Sequence, residues 1–394
     1  WMMALLMALQ AFGIDAILPA LDEVAAAMAI EGNDRQFIVG VYLLTAGIGA
    51  LIPGALADRF GRRPILLGSI AVYITLSIAS ALATTFEALI AIRAAQGFFG
   101  AGIVALPPAI IRDRVGGDKM ARMMSLIFVI FLMVPAIAPS IGEVILLVAD
   151  WRAIFAAMAL QGIVVGAWVW LRLPESLTEE NRQEIRPRII GRNMLRALSL
   201  PSVVGYVFGS ALVFGALFGF INSSQQLISE GFDAPEIFPI VFGICAGSMA
   251  IASWSNSRIV ERFGARRVSH TALFAFIAVA SLQVWFAFQP GETLWQFVPL
   301  MAVNMMLLGF IGSNFGSIAM NPFFAIAGAA SSVHGFVRLT LAAVIGAGIG
   351  YAYDGTAQPL ALSLLAAGLT CLALVLFSEK GKLFGPPEEA MGPS

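Results

Sequence analysis

Twelve apolar runs follow one another along this chain, each long enough to cross a bilayer as a helix, with short polar islands between them. They lie near residues 2–21, 36–57, 64–83, 87–111, 121–147 and 152–173, and then near 201–228, 236–257, 267–288, 293–316, 325–353 and 358–378. About 20 apolar residues of helix span the hydrocarbon of a membrane, and in lipid the backbone polar groups must be satisfied inside the segment. The pattern therefore predicts an all-α integral membrane protein. Composition agrees. Of the 394 residues, 59% are hydrophobic and 12% charged, against roughly a quarter charged in soluble domains. Several runs exceed the required length, so tilt or extension out of the bilayer is expected.

One polar stretch breaks the series. From Pro174 the chain reads Pro-Glu-Ser-Leu-Thr-Glu-Glu-Asn-Arg-Gln-Glu-Ile-Arg-Pro-Arg and stays polar to about Ser199. The expected organisation is a six-helix bundle over 1–173, a linker over 174–200, a second six-helix bundle over 201–378 and a tail over 379–394. The tail, with Pro386-Pro387 and Glu388-Glu389, reads as exposed and disordered. The chain opens at Trp1 with no initiator Met or basic stretch, so it is expected to be trimmed there, with no cleaved signal peptide in view. Cys245 and Cys371 both lie in apolar runs and read as small buried hydrophobes.

The two halves echo each other. Asp58-Arg59-Phe60-Gly61-Arg62-Arg63 returns as Glu261-Arg262-Phe263-Gly264-Ala265-Arg266-Arg267. When the loops are counted alternately, nineteen of the 23 Lys and Arg fall on one side, and only Arg35 and Arg152 on the other. Arg93 and Arg338 fall within spans. The rich side is expected to be cytoplasmic, which puts both termini, the linker and both copies of the echo there. The repeat is then parallel rather than inverted.

Several function classes drop out. No Gly-x-x-x-x-Gly-Lys-Ser/Thr loop occurs, which argues against ATP hydrolysis within the chain. No His/Cys cluster has metal-ligand spacing, no run suggests nucleic-acid binding, and no soluble domain exists to hold an ordinary active site. No cofactor, no metal and no enzymatic activity are expected.

Gly54-Ala-Leu-Ala-Asp58-Arg59-Phe60-Gly61-Arg62-Arg63-Pro64 resembles the loop 2–3 signature of the major facilitator superfamily. Ile92-Arg93-Ala-Ala-Gln96-Gly97-Phe-Phe-Gly100-Ala resembles the span-4 signature of its proton-coupled members. Ile14-Asp15-Ala-Ile-Leu-Pro19-Ala-Leu in span 1 and Ile111-Arg112-Asp113 closing span 4 are similar to the Bcr/CflA-type drug:proton antiporters. The superfamily likeness covers the whole chain; the subfamily likeness rests on fewer positions. It implies the major facilitator fold, two pseudo-symmetric six-helix bundles with the substrate site between them. It also implies a monomer in a bacterial cytoplasmic membrane whose partners are protons, a small-molecule substrate and the lipid bilayer.

The resemblance assigns a conformational latch to Gly54, Asp58, Arg59, Gly61, Arg62, Arg63, Arg112 and Asp113. Gly54 and Gly61 suit close approach and a tight turn, and Asp58 suits a helix N-terminus or the groups Arg62 and Arg112. The plainer alternative is a basic loop that only fixes orientation. The second copy lacks the first Gly and has Glu261 for the Asp, so a weaker latch is expected there.

Arg93 lies about six residues into span 4, where a charge costs at least about 2.5 kcal/mol. It should face the cavity and have a partner, or else snorkel to the interface. Asp15 is the only acid of the first run. Burial disfavours its charged form and a nearby Arg favours it, which suits a proton carrier; the alternative is an interfacial acid, since Asp22 and Glu23 follow closely. By resemblance Asp15 and Arg93 couple protons to substrate. Glu143, in Pro135-Ala-Ile-Ala-Pro139-Ser-Ile-Gly142-Glu143, stands where the similar antiporter signature usually has Gly, and is a possible second proton site together with His334.

In the second half, Asn222-Ser223-Ser224-Gln225-Gln226 form a polar patch, followed by Asn304, Asn314, Asn321, and by His334 and Arg338 on one helix face. Such groups line a cavity or bond one helix to another. Cavity candidates are Phe12, Tyr42, Gln96, Phe128, Met133, Asn222, Gln225, Gln226, Asn304 and Arg338, with Phe214, Phe218, Phe220 and Phe310 as further apolar lining.

The expected function is proton-coupled efflux of hydrophobic or amphipathic compounds by alternating access. The alternatives are uptake or uniport of a small metabolite, organic anion or lipid-like molecule and, from another class, a non-transporting membrane sensor.

Overall fold

The computed structural model describes every residue except 31, 115–126, 128–132, 135–136, 180–181, 183–186 and 385–394; the side chains of 112, 187, 189–190, 193 and 324–329 are also outside it. Phe128 and the side chain of Arg112 are therefore not described. The described residues are helical or irregular, with no strand.

Ten helices are long and apolar enough to cross a membrane, and a bent pair makes an eleventh. They account for eleven of the twelve predicted runs, and a shorter apolar helix, Ile137–Leu146, lies in the run over 121–147. The chain divides into two compact units, Trp1–Arg186 and Pro187–Ser394.

The first unit holds α1 (Met2–Asp15), α2 (Leu21–Ala27), α3 (Phe37–Gly49), α4 (Pro53–Phe60), α5 (Arg62–Ala81), α6 (Phe86–Arg114), α7 (Ile137–Leu146) and α8 (Arg152–Arg172). Two predicted spans are broken. The first does not end near residue 21: a 3-10 turn at Leu18–Ala20 leads into α2 and carries helix on to Ala27. The second bends by 45° between α3 and α4. Pro53 opens α4; it cannot donate a hydrogen bond and disfavours helical geometry in the residue before it. At the far end of the unit Asp22 pairs with Arg35, and Glu23 Oε1 accepts the Trp151 N–H at 3.2 Å.

The second unit holds α9 (Pro187–Ser199), α10 (Pro201–Gln226), α11 (Phe238–Phe263), α12 (Ala265–Ala287), α13 (Leu294–Met320), α14 (Ala327–Tyr351) and α15 (Gln358–Ser378). Helix α10 runs on through a π turn at Leu227–Gly231. A capping box, Thr293 with Gln296, starts α13. Small residues let helix backbones approach in lipid, and α10 meets α14 at Gly215, Gly219 and Gly346, against Ile345, Ile349 and Phe218.

Polar side chains join the other helices of this unit. Asn314 Nδ2 donates to Asn256 Oδ1 at 2.8 Å between α13 and α11, and Asn304 Nδ2 to Gln283 Oε1 at 2.6 Å between α13 and α12. Such bonds average about 0.6 kcal/mol in membranes, and here they fix which faces meet. Ser378 Oγ accepts the Gly205 N–H at 2.8 Å and donates to Pro201 O at 2.7 Å, tying α15 to the start of α10.

The start of the tail is ordered against the unit, contrary to expectation. Glu379 binds Arg266, and the Phe384 ring lies 5.5 Å from His270 and 6.3 Å from Phe274. An acid with a half-buried cation partner and an aromatic with a ring to stack on outweigh the polar composition around them.

Candidate functional site

The deepest polar cluster of the first unit lies where α1 stops. Pro19 has no N–H to extend the helix, and its ring crowds the carbonyl of Asp15 four residues back. Helix α1 therefore ends at Asp15, and carbonyls of its last turn lose their helical partners. Arg93 of α6 reaches one of them, with Nη2 donating to Gly13 O at 2.9 Å. Its Nε donates to Ile38 O at 3.2 Å and its Nη1 to Gln96 Oε1 at 2.8 Å. The guanidinium also lies 4.3 Å over the Tyr42 ring and 5.7 Å from Phe155.

The network continues from Gln96 Nε2 to Ser77 Oγ at 2.7 Å, and from Ser77 Oγ to Tyr73 O at 2.8 Å. Tyr73 in turn donates its hydroxyl to Leu9 O at 3.1 Å. Arg93, Gln96 and Tyr42 are wholly buried. A cation at the C-terminal end of a helix is favoured by the peptide dipoles, and three acceptors with two aromatic faces complete its surroundings. Arg93 is therefore tolerated at this depth with no acid bound to it, and it does not snorkel.

Asp15 is 2% exposed, and its Oδ1 has no hydrogen-bond partner among the described residues. Among the described residues it makes no ion pair. The partner expected for Arg93 is thus the backbone two residues before Asp15, not its carboxylate. Phe12, one turn earlier, is also buried. Gly142 of α7 stands against the carbonyl of Ala16 at the break, where a Cβ would collide with it. Glu143 beside it is half-buried, with no ion pair or side-chain hydrogen bond among the described residues. Met133 is exposed.

A second cluster forms at the basic end of the unit. Gly61 joins α4 to α5 with φ +104° and ψ 151°, a conformation open essentially to Gly alone. Arg62 binds Asp58 at 2.6 Å and Asp113 at 3.0 Å. Glu175, just past α8, accepts the N–H groups of Arg62 at 2.9 Å and Arg63 at 3.1 Å, and so caps α5. Ser176 Oγ donates to Asp113 at 3.2 Å, Arg63 donates to Trp170 O at 2.7 Å and Arg114 to Pro174 O at 2.6 Å. Arg59 is exposed and lies over the Phe60 ring. Gly54 is not a close-approach site, since a Cβ there meets nothing within 4 Å among the described residues.

Partial burial opposes the charge of Glu175, but the N–H groups of Leu177, Arg63, Arg62 and Ser176 outweigh it and hold the carboxyl below the usual carboxylate range. A lowered folded value contributes stability above the unfolded value, and this is lost as pH falls through the folded one. The stability gap between the wild type and Glu175→Gln is therefore expected to close toward acid pH. A Cβ on Gly61 would also meet the Glu175 carboxylate. Gly61→Ala is thus expected to cost about 1–3 kcal/mol from backbone strain, and further stability from the displaced cap. Gly264 has φ +80° with nothing within 4 Å, so Gly264→Ala reports strain alone. Equal losses in the two variants, read from thermal unfolding, would mean that the Glu175 cap contributes nothing.

In the second copy the acid of the loop is not the one used. Glu261 is exposed, and Arg266 instead pairs with Glu379 at 2.8 Å. Tyr206 donates to Glu379 at 2.5 Å and bonds His270 Nε2 at 3.1 Å. Sequence reasoning missed both Glu175 and Glu379, yet a signal was present. Glu379 stands as far after Glu175 as Arg266 stands after Arg62, so the repeat extends to the end of the sixth span of each half.

The polar patch of α10 is buried. Among the described residues both side-chain polar atoms of Asn222 lack partners, Gln225 Nε2 lies 3.5 Å from Ser229 Oγ, and Gln226 O accepts the Tyr353 hydroxyl at 3.2 Å. On α14, His334 Nε2 bonds Ala197 O at 3.2 Å, and Arg338 lies 4.6 Å over the Phe214 ring.

A helical membrane protein of two repeated halves, with a satisfied Arg and an unpaired acid buried in its first half, is built as a transporter and not as an enzyme. The chain belongs to the Major Facilitator Superfamily, whose sequence profile matches residues 3–347. It is 30% identical over 363 residues to the bicyclomycin resistance protein homolog of Haemophilus influenzae, with 91% of this chain and 90% of that protein covered. It is 29% identical over 392 residues to the multidrug resistance protein MdtL of Escherichia coli, covering 96% and 94%. A D-xylose-proton symporter structure matches with a TM-score of 0.72 at 14% identity, covering 97% and 98% of the two chains. The human organic anion transporter MFSD10 matches with a TM-score of 0.62 at 19% identity, covering 96% and 95%. At those identities the likeness is one of fold alone.

Proposed function

We propose that this protein exports hydrophobic or amphipathic drug-like compounds in exchange for protons, by alternating access between two six-span halves, 1–173 and 201–378. Both termini then face the cytosol of a bacterial cell. Relatives named for bicyclomycin and multidrug resistance support the substrate class. The observation that carries the proton reading is Asp15, buried at the broken end of α1 with no partner on Oδ1 among the described residues, while Arg93 is held by the backbone two residues before it.

An unpaired carboxylate in that place is costly, so it is stabilised by taking a proton, and charging it puts a negative group two residues from the Gly13 carbonyl that Arg93 holds. Protonation from outside accompanies substrate release; loss of the proton to the cytosol accompanies binding of the next substrate. The cluster of Asp58, Arg62, Asp113 and Glu175 holds the basic end of the first half as a unit and serves as the latch. Purified protein in liposomes, given ethidium, a neutral naphthyl amide and fluorescein as probes, should move at least one of them faster when a pH gradient is imposed. Flux of all three that ignores the gradient would overturn the proposal.

A further inference from the structure

Two arginines lie inside the spans of this protein, and their surroundings differ. Arg93 has three hydrogen-bond acceptors and two aromatic faces. Arg338 has the Phe214 ring at 4.6 Å and, among the described residues, no hydrogen bond and no ion pair; its Nε is buried without a partner. It is the ninth residue of the span Ala330–Tyr351, roughly 12 Å along the helix from Ala330. No acid of the second half stands near that depth. Glu230, Glu236 and Glu261 all lie in the first or last two turns of their spans, and the other four spans hold no acid. A guanidinium in hydrocarbon with no counter-charge from its own unit is costly, and such residues mark substrate or ion pathways.

The surroundings also say what would fit. One turn before Arg338, on the same face, His334 is held by Nε2 to Ala197 O. A carbonyl only accepts, so Nε2 carries the hydrogen, and neutral Nδ1 is left as an acceptor; that Nδ1 is buried and, among the described residues, has no partner. The Phe323 ring meets His334 edge-on at 5.7 Å, and Phe214 lies under Arg338. The patch therefore offers a cation and a hydrogen-bond acceptor beside two aromatic rings, all from one unit.

We propose that Arg338 is the binding group for an oxyanion on the substrate, so that the preferred compounds are aromatic amphipaths carrying a carboxylate or a similar acid. His334 accepts from a hydroxyl or N–H of the same molecule. This rests on the export reading for its biological meaning, but the binding site stands without it.

The test compares 1-naphthoate, 1-naphthamide and 1-naphthylmethylammonium by calorimetric titration of the full chain in phosphatidylcholine nanodiscs. Naphthoate is expected to bind at least about tenfold more tightly than the amide. Arg338→Gln should erase that preference, and Arg338→Lys, a point charge without the fork, should keep part of it. Thermal unfolding of each variant in the same nanodiscs checks its folding; if the Gln variant does not fold, the wild-type ranking and the Lys variant decide. Equal binding of acid and amide by the wild type, or a preference that survives Arg338→Gln, overturns the proposal. So does a preference that vanishes when phosphatidylglycerol is added to the nanodiscs, because the occupant is then a lipid headgroup. Failure of gradient-driven flux with the naphthoate preference intact would reject the export reading and keep this site.

Discussion

With Asp15 changed to Asn, gradient-driven efflux from proteoliposomes is expected to fall by at least about 100-fold, equivalent to about 2.7 kcal/mol on the transport barrier. Asn matches Asp in size and cannot exchange a proton. Asp15 Oδ1 has no hydrogen-bond partner to lose, and a bare carboxylate in a buried place is expensive. The unfolding temperature of Asp15→Asn should therefore hold or rise, which separates a coupling defect from a folding one. Exchange of labelled for unlabelled substrate without a pH gradient needs no proton and should persist. If driven flux survives in Asp15→Asn, the carrier of the proton is another group, and Glu143 is next because α7 touches the same break through Gly142.

The membrane plan was legible because it rests on strong penalties. Charges are excluded from long apolar runs, so the runs and the repeated Arg-Phe-Gly could be read directly, and Gly61 and Gly264 both prove to be left-handed joints. The kinks were readable in principle from Pro19 and Pro53, but run length alone hid them. The partners of Arg93 were not readable. Two of the three are backbone carbonyls, which every residue carries, and only the stop in α1 makes the one at Gly13 available. Glu175 and Glu379 were hidden for a different reason. Each follows the last residues of an apolar run, where a charge is ordinary, and only their shared offset from Arg62 and Arg266 marks them as partners. Asn304 and Asn314 resolved toward helix–helix bonds, whereas Asn222 has no partner for either polar atom among the described residues; no difference in their sequence surroundings separates those outcomes.

Arg93→Met should be the most damaging single change in the first half. It leaves Gly13 O, Ile38 O and Gln96 Oε1 facing a methyl group, and hydrogen bonds to a charged donor contribute about 1.5–3 kcal/mol each. Because the three share one donor, their losses do not add. A total on the order of 4 kcal/mol is expected, as for other broken buried networks. Tyr42 and Phe155 also lose the cation over their rings. Arg93→Lys keeps the charge, but a single ammonium cannot span acceptors on three helices. It should regain part of the stability lost in the Met variant and little of the driven flux. That split is the informative result, because a merely structural Arg93 would have flux and stability recover together. Thermal unfolding and gradient-driven flux of the same two preparations measure it. If Arg93→Met unfolds at the wild-type temperature, the network described around α1, α3 and α6 does not hold the first half together, and the coupling route through Gly13 loses its physical basis.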